Sequence, residues 1–156
     1  MQRLLTAIDD LSDVQAVTAA RQLSRRIFSA VTLDVLRPAA QAGELDAVPQ
    51  VTMSARLDST DSAGVSKHLL RAFAQDHALA PVVTEIVDEV RQDESVFIEH
   101  SIAVGEIVNL TMFMASSELE FKFRSGTIKK GAVSAAMLKT VLAPVVEIVK
   151  KRLPSV

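Results

Sequence analysis

Three histidines, nineteen carboxylates and no cysteine make up the side chains of this 156-residue sequence that could move protons, ligate metals or attack a substrate. His68 and His77 stand nine positions apart, half a turn out of phase on a continuous helix, so they cannot share a metal ion there. His100 falls in the alternating run Val96, Ile98, His100, Ile102 and Val104. That spacing places it on the apolar side of a strand and turns Glu99 to the opposite side, which excludes a Glu–His pair from these neighbours. The imidazole reads as a buried or strand-edge group with an ordinary hydrogen bond, not as a general base. The absence of cysteine removes disulfides, thiolate metal sites and thiol nucleophiles.

The usual nucleophile and phosphate patterns are missing as well: there is no Gly-x-Ser-x-Gly elbow, no phosphate-cradling glycine loop and no His-Glu-x-x-His. Gly64-Val65-Ser66 and Gly131-Ala132-Val133-Ser134 open expected helices whose first backbone N–H groups could meet an anion, but every helix start offers those donors. Carboxylates crowd the middle of the chain at Glu85, Asp88, Glu89, Asp93, Glu94, Glu118 and Glu120. Glu85 and Glu89 share a helix face, where exposed like charges repel only weakly. No calcium-loop spacing is present, so these acids read as a solvated surface. The sequence therefore assigns no catalytic residue, no cofactor and no metal ligand.

Basic residues collect at the other end of the chain, at Lys122, Arg124, Lys129, Lys130, Lys139, Lys150, Lys151 and Arg152. Such a cluster could meet phosphates. Alternation, however, puts Phe121 and Phe123 with Leu119 on one strand face and Lys122 and Arg124 on the other, and the chain has no Tyr or Trp to stack on bases. Lys150 to Arg152 near a helix C-terminus also suit the helix dipole. The net charge of −2 is segregated: 0 over residues 1–75, −9 over 76–120 and +7 over 121–156.

Several elements would have to position these groups. Leu4, Leu5, Ile8 and Leu11 outline a short helix, and Ser12 to Gln15 has the form of a capping box for the next one. Val14, Val17, Ala20, Leu23, Ile27 and Val31 recur at helical spacing, with Arg21, Arg25 and Ser29 on another face, until Arg37-Pro38 ends the helix. Residues 39–50 read as a connector. A strand is expected over 51–58, followed by a helix from about Gly64 to Leu79. A second helix opens at Pro81 and buries Val82, Val83, Ile86, Val87 and Val90. Three alternating runs over 95–104, 107–115 and 118–124 then predict an antiparallel meander, and Gly131 to Leu153 a final helix with a break near Pro144. Leu79-Ala80-Pro81-Val82-Val83 recurs at Leu142, but flanking matches keep no constant offset, so the repetition reads as shared helix grammar.

The expected architecture is thus α+β, in the order ααβααβββα. A mainly antiparallel sheet of about four strands is covered by helices in one domain, with 1–37 as a helical segment and 51–153 as the sheet–helix core. The long N-terminal helix is surplus to covering so small a sheet. Together with a 49% hydrophobic composition, a mean hydropathy of +0.26 and complementary charged segments, it points to a non-catalytic interaction or assembly module. The expected partner is a second copy or another protein, engaged through Arg21, Arg25, Lys129, Lys130, Lys150, Lys151 and Arg152. One alternative is a ligand pocket or enzyme site between sheet and helices, near His100 and Thr111; another is nucleic-acid binding through the basic third. No apolar run reaches the length of a membrane span, the run from Leu4 to Ile8 is too short for a secretory signal, and a reducing cytoplasm is the expected compartment.

Overall fold

The computed structural model describes residues 2–30, 53–92, 99–115, 119–123 and 126–130, together with positions 143 and 147. Among the described residues, five helices precede one antiparallel ribbon of two strands. The helices are α1 (Gln2–Asp9), α2 (Asp13–Ala30), α3 (Ser59–Ala74), α4 (Ala80–Gln92) and α5 (Val104–Ala115); the strands are β1 (Leu119–Phe123) and β2 (Gly126–Lys130). The expected α+β fold with a four-stranded sheet is overturned: the body is helical.

Local chemistry explains where the helices start. At the α1–α2 junction the Ser12 N–H donates to Gln15 Oε1 at 2.9 Å and the Gln15 N–H to Ser12 Oγ at 3.1 Å, so the capping box closes as the sequence predicts. Asp58 caps α3 by accepting the Asp61 N–H at 2.7 Å. Pro81 sits in the first turn of α4, where its missing N–H has no intrahelical partner to lose. All five α4 side chains expected inside are buried: Val82, Val83, Ile86, Val87 and Val90.

The core is built around α2. This helix packs against α3, α4 and α5 and also lies against β1. Ala16, Ala19 and Ala20 are fully buried on it, and small side chains there let neighbouring helix axes approach closely. Leu23 and Ile27 continue the buried stripe. The helix expected to be surplus is therefore the hub: its own chain covers its apolar side. An aromatic stack links the neighbours, with Phe73 of α3 parallel to Phe113 of α5 at 5.9 Å and Phe28 of α2 edge-on to Phe113 at 6.3 Å.

Each expected strand fares differently. Residues 107–115 lie in α5, where Val104, Ile107, Val108, Leu110, Thr111, Phe113 and Met114 are buried. Those positions follow the helical period, and only the stripe Gly105, Glu106, Asn109 and Met112 is partly exposed. Of 51–58, Met53 is helical and Arg56 makes an isolated bridge with Ala103. The bridge is fastened by Leu57 N–H to Ile102 O at 3.1 Å and Val104 N–H to Ala55 O at 2.8 Å, and that is all the strand character 95–104 retains among its described residues. Within the run 118–124, residues 119–123 form β1, and its partner is β2 over 126–130, where no strand was expected. The C-terminal helix falls outside the described residues except at Ala143 and Glu147, both helical and exposed. The α3 boundaries shift towards the N-terminus, because Asp58 rather than a later residue supplies the cap.

Candidate functional site

Where polar side chains converge, they do so on α2. Arg21 and Arg25 are one turn apart on this helix and both reach Glu99, which lies just ahead of α5. Arg21 Nη1 is 2.6 Å and Arg25 Nη2 2.7 Å from the same oxygen, Glu99 Oε1. Arg21 Nε also donates to Glu106 Oε2 at 3.0 Å, bringing in α5 itself. The Glu99 N–H donates to Thr18 Oγ1 at 3.2 Å, while the Thr18 hydroxyl donates to Val14 O at 2.7 Å. Glu99 Oε2 is buried without a hydrogen-bond partner. Two cations and two anions thus form a cluster around a buried carboxylate, in which Glu99 is 6% and Arg21 19% exposed while Arg25 lies half in solvent. With both guanidiniums engaged by carboxylates of their own chain, the cluster works as a clamp between α2 and the entry to α5.

Two further clamps have the same logic. Arg26 of α2 sits opposite Glu85 and Glu89 of α4, at 3.4 and 2.6 Å, so the like-charged pair read as a solvated face is bridged by a cation. Arg71 of α3 pairs with Asp9, and Lys67 Nζ donates to Asp9 O at 2.9 Å, which places two positive charges on the C-terminal end of α1. This seam floors an open groove of about 580 Å³ lined by residues that include Asp9, Asp61, Lys67, His68 and Arg71. Opposite charges alternate along it and much of the lining is engaged in holding α1 to α3.

The residues singled out from the sequence are dispersed. His100 is exposed, and its neighbour Glu99 is buried, the reverse of the expected alternation. The reason is local: Arg21, Arg25 and Thr18 draw Glu99 inward, and no sheet imposes a pleat on this segment. Thr111 is fully buried and its hydroxyl donates to Ile107 O at 2.8 Å, one turn back on α5. One of these two residues lies in solvent and the other in the core. Arg21 and Arg25 are engaged within the chain, Lys129 is exposed on β2, and Lys130 pairs in register with Leu119. Lys150, Lys151 and Arg152 lie outside the described residues.

Glu99 is the residue that sequence reasoning set aside. Arg21 and Arg25 stand four apart on one face of a helix whose other face is apolar, and such a pair of cations invites a shared carboxylate, which was the available signal. The ribbon is the remaining feature. Phe121 pairs with Ile128, Glu120 with Lys129 and Lys122 with Thr127, and Ile128 packs against the helical core. No other described strand meets either outer edge.

Comparison with known protein families, with curated proteins and with solved structures gave no match. Among the described residues no helix is long and apolar enough to cross a membrane, and no group of His, Cys, Asp and Glu could hold a metal ion.

Proposed function

We propose that this chain is a non-catalytic assembly module that associates with itself. The observation that carries the reading is the ribbon β1–β2, whose two outer edges meet no other described strand. A two-stranded hairpin alone is marginal in water, and exposed strand edges are templates for pairing with another chain. The ribbon is held in place by Ile128 against the core and by α2 beside β1, so it is supported by the helical body. The paired arginines support the same reading from the other side, because Arg21, Arg26 and Arg71 hold helices together through carboxylates of their own chain. Exposed Lys129 remains on the ribbon to guide encounter with an acidic surface. The reading places the module in a reducing cytoplasm, consistent with a chain that has no cysteine.

Size-exclusion chromatography with light scattering, run over a protein concentration series at two salt concentrations, tests it. The expected mass is a multiple of 16.8 kDa that falls on dilution. A single 16.8 kDa species at every concentration and salt refutes it.

A further inference from the structure

The charge pattern of β1 names the contact. Leu119-Glu120-Phe121-Lys122-Phe123 is self-complementary when read against an antiparallel copy of itself. With a two-fold axis at Phe121, position 119 lies opposite 123, and position 120 lies opposite 122 on both sides of the axis. Each copy's acid then meets the other's base, twice per dimer. Directly opposed positions in an antiparallel pair have Cβ atoms about 4.5–5.5 Å apart, close enough for opposite charges to favour the register and like charges to oppose it.

The other strand lacks this property. An antiparallel pair of β2 strands centred on Ile128 would set Lys129 opposite Thr127 and Lys130 opposite Gly126, bringing four lysines together with no acid. The in-chain register adds to the preference for β1. Glu120 already faces Lys129 and Lys122 faces Thr127. Pairing through β1 therefore builds a row that runs Lys129, Glu120, the partner's Lys122 and the partner's Thr127. Charge alternates along that row, and its symmetry mate repeats it.

We propose that two copies of the chain pair antiparallel through the outer edge of β1, on a two-fold axis at Phe121, to form a four-stranded sheet ordered β2, β1, β1, β2. This rests on the reading of the chain as a self-associating module and specifies its contact. An isologous pairing closes on itself, so it uses up the β1 edges and yields a dimer, not a fibre. It also turns two marginal hairpins into a sheet of a size that is stable in water.

Full-length variants test the register. Lys122→Glu puts acids opposite acids across the axis, yet within its own hairpin its register partner is the neutral Thr127. Its dimer dissociation constant is expected to rise about 10- to 100-fold by sedimentation or light scattering, with unchanged far-ultraviolet circular dichroism. Lys122→Gln is expected to weaken the dimer by less than the charge reversal does. Glu120→Lys weakens it for the mirrored reason, and mixing the Lys122→Glu and Glu120→Lys chains restores a mixed dimer, since every opposed pair is again acid with base. If Glu120→Lys does not fold, because it faces Lys129 in its own hairpin, the ranking of Lys122→Gln and Lys122→Glu still decides. A dimeric wild type that Lys122→Glu leaves unchanged overturns the β1 contact while self-association stands. A wild type that is monomeric at all concentrations overturns both and leaves the edge to another occupant.

Discussion

Replacing Arg21 by alanine removes the centre of the α2 clamp, and the geometry sets how much that costs relative to its neighbour Arg25. Both guanidiniums reach Glu99 Oε1 at nearly the same distance, 2.6 and 2.7 Å, so a count of contacts predicts equal losses. Burial predicts otherwise. Arg21 is 19% exposed and also holds Glu106, whereas Arg25 is 53% exposed and can return to water. Removing one partner of a buried pair typically costs about 3–5 kcal/mol; with Arg25 still on Glu99, about 2–4 kcal/mol is expected for Arg21→Ala. A half-exposed pair is worth about 0.5–1 kcal/mol, the loss expected for Arg25→Ala. For a chain of this length about 1 kcal/mol shifts Tm by roughly 2–4 °C, so Arg21→Ala should lower it by about 4–16 °C and Arg25→Ala by about 1–4 °C. Urea unfolding followed by circular dichroism reads the same difference. A double-mutant cycle of Arg21→Ala with Glu99→Gln should give a coupling of about 1–3 kcal/mol. Equal losses for the two arginines, or a coupling near zero, would refute the assignment of Glu99 as the anchor of this clamp.

Four other substitutions probe the packing and capping of the helical body. Ser62 is fully buried, accepts the Ile102 N–H at 3.1 Å and donates to Leu57 O at 3.3 Å, so Ser62→Ala strands a buried donor and should lower unfolding stability by about 1–3 kcal/mol in urea titrations. Gly64 lies inside α3 with open space where a Cβ would go, and Gly64→Ala should raise stability by about 0.5–1 kcal/mol through helix propensity. Gly105 is the opposite case, since a Cβ there would stand 3.0 Å from Met53 O; Gly105→Val should lower stability by about 1–3 kcal/mol by overpacking, read as a drop in Tm. Ser12→Ala opens the capping box and should cost about 0.5–2 kcal/mol in the same unfolding assay.

The contrast between α4 and α5 shows what the sequence could disclose. In α4, charged residues interrupt the valines at helical spacing, and every expected core position is buried. In α5, the seven buried positions leave only one narrow stripe of partly exposed residues, so no polar face marks the helical period. Val108, Leu110, Met112 and Met114 then alternate by chance with Asn109, Thr111 and Phe113, and the two polar residues among these imitate a strand's outer face. The capping box at Ser12 was legible because its two hydrogen bonds are local, within three residues. The role of α2 was not, because its partners are distant in sequence: Arg21 meets Glu99 across 78 residues and Arg26 meets Glu89 across 63. Strand β1 was visible from its alternation, but its partner β2 has Gly126, Thr127, Lys129 and Lys130 around a single Ile128, too little pattern to announce a strand.

The same long-range pairs show where part of the acidic middle of the chain is used. The acidic middle of the chain was expected to meet the basic C-terminal third, within or between copies. In the described residues, Glu85, Glu89, Glu99 and Glu106 meet Arg21, Arg25 and Arg26 from the first thirty residues, while Glu120 stands in register with Lys129 of the basic third. Folding of the helical body and the proposed association through the ribbon would therefore draw on different charges, and salt separates them. At 0.15 M salt the screening length is about 8 Å, which weakens attraction between exposed charges but hardly touches a carboxylate as buried as Glu99. Raising salt from 0.05 to 0.5 M should consequently loosen the dimer several-fold while leaving the urea midpoint of the helical body nearly unchanged, about 0.5 kcal/mol or less. If the midpoint falls in step with the dimer, the two are a single cooperative unit, and the separation of a self-sufficient helical body from an associating ribbon fails.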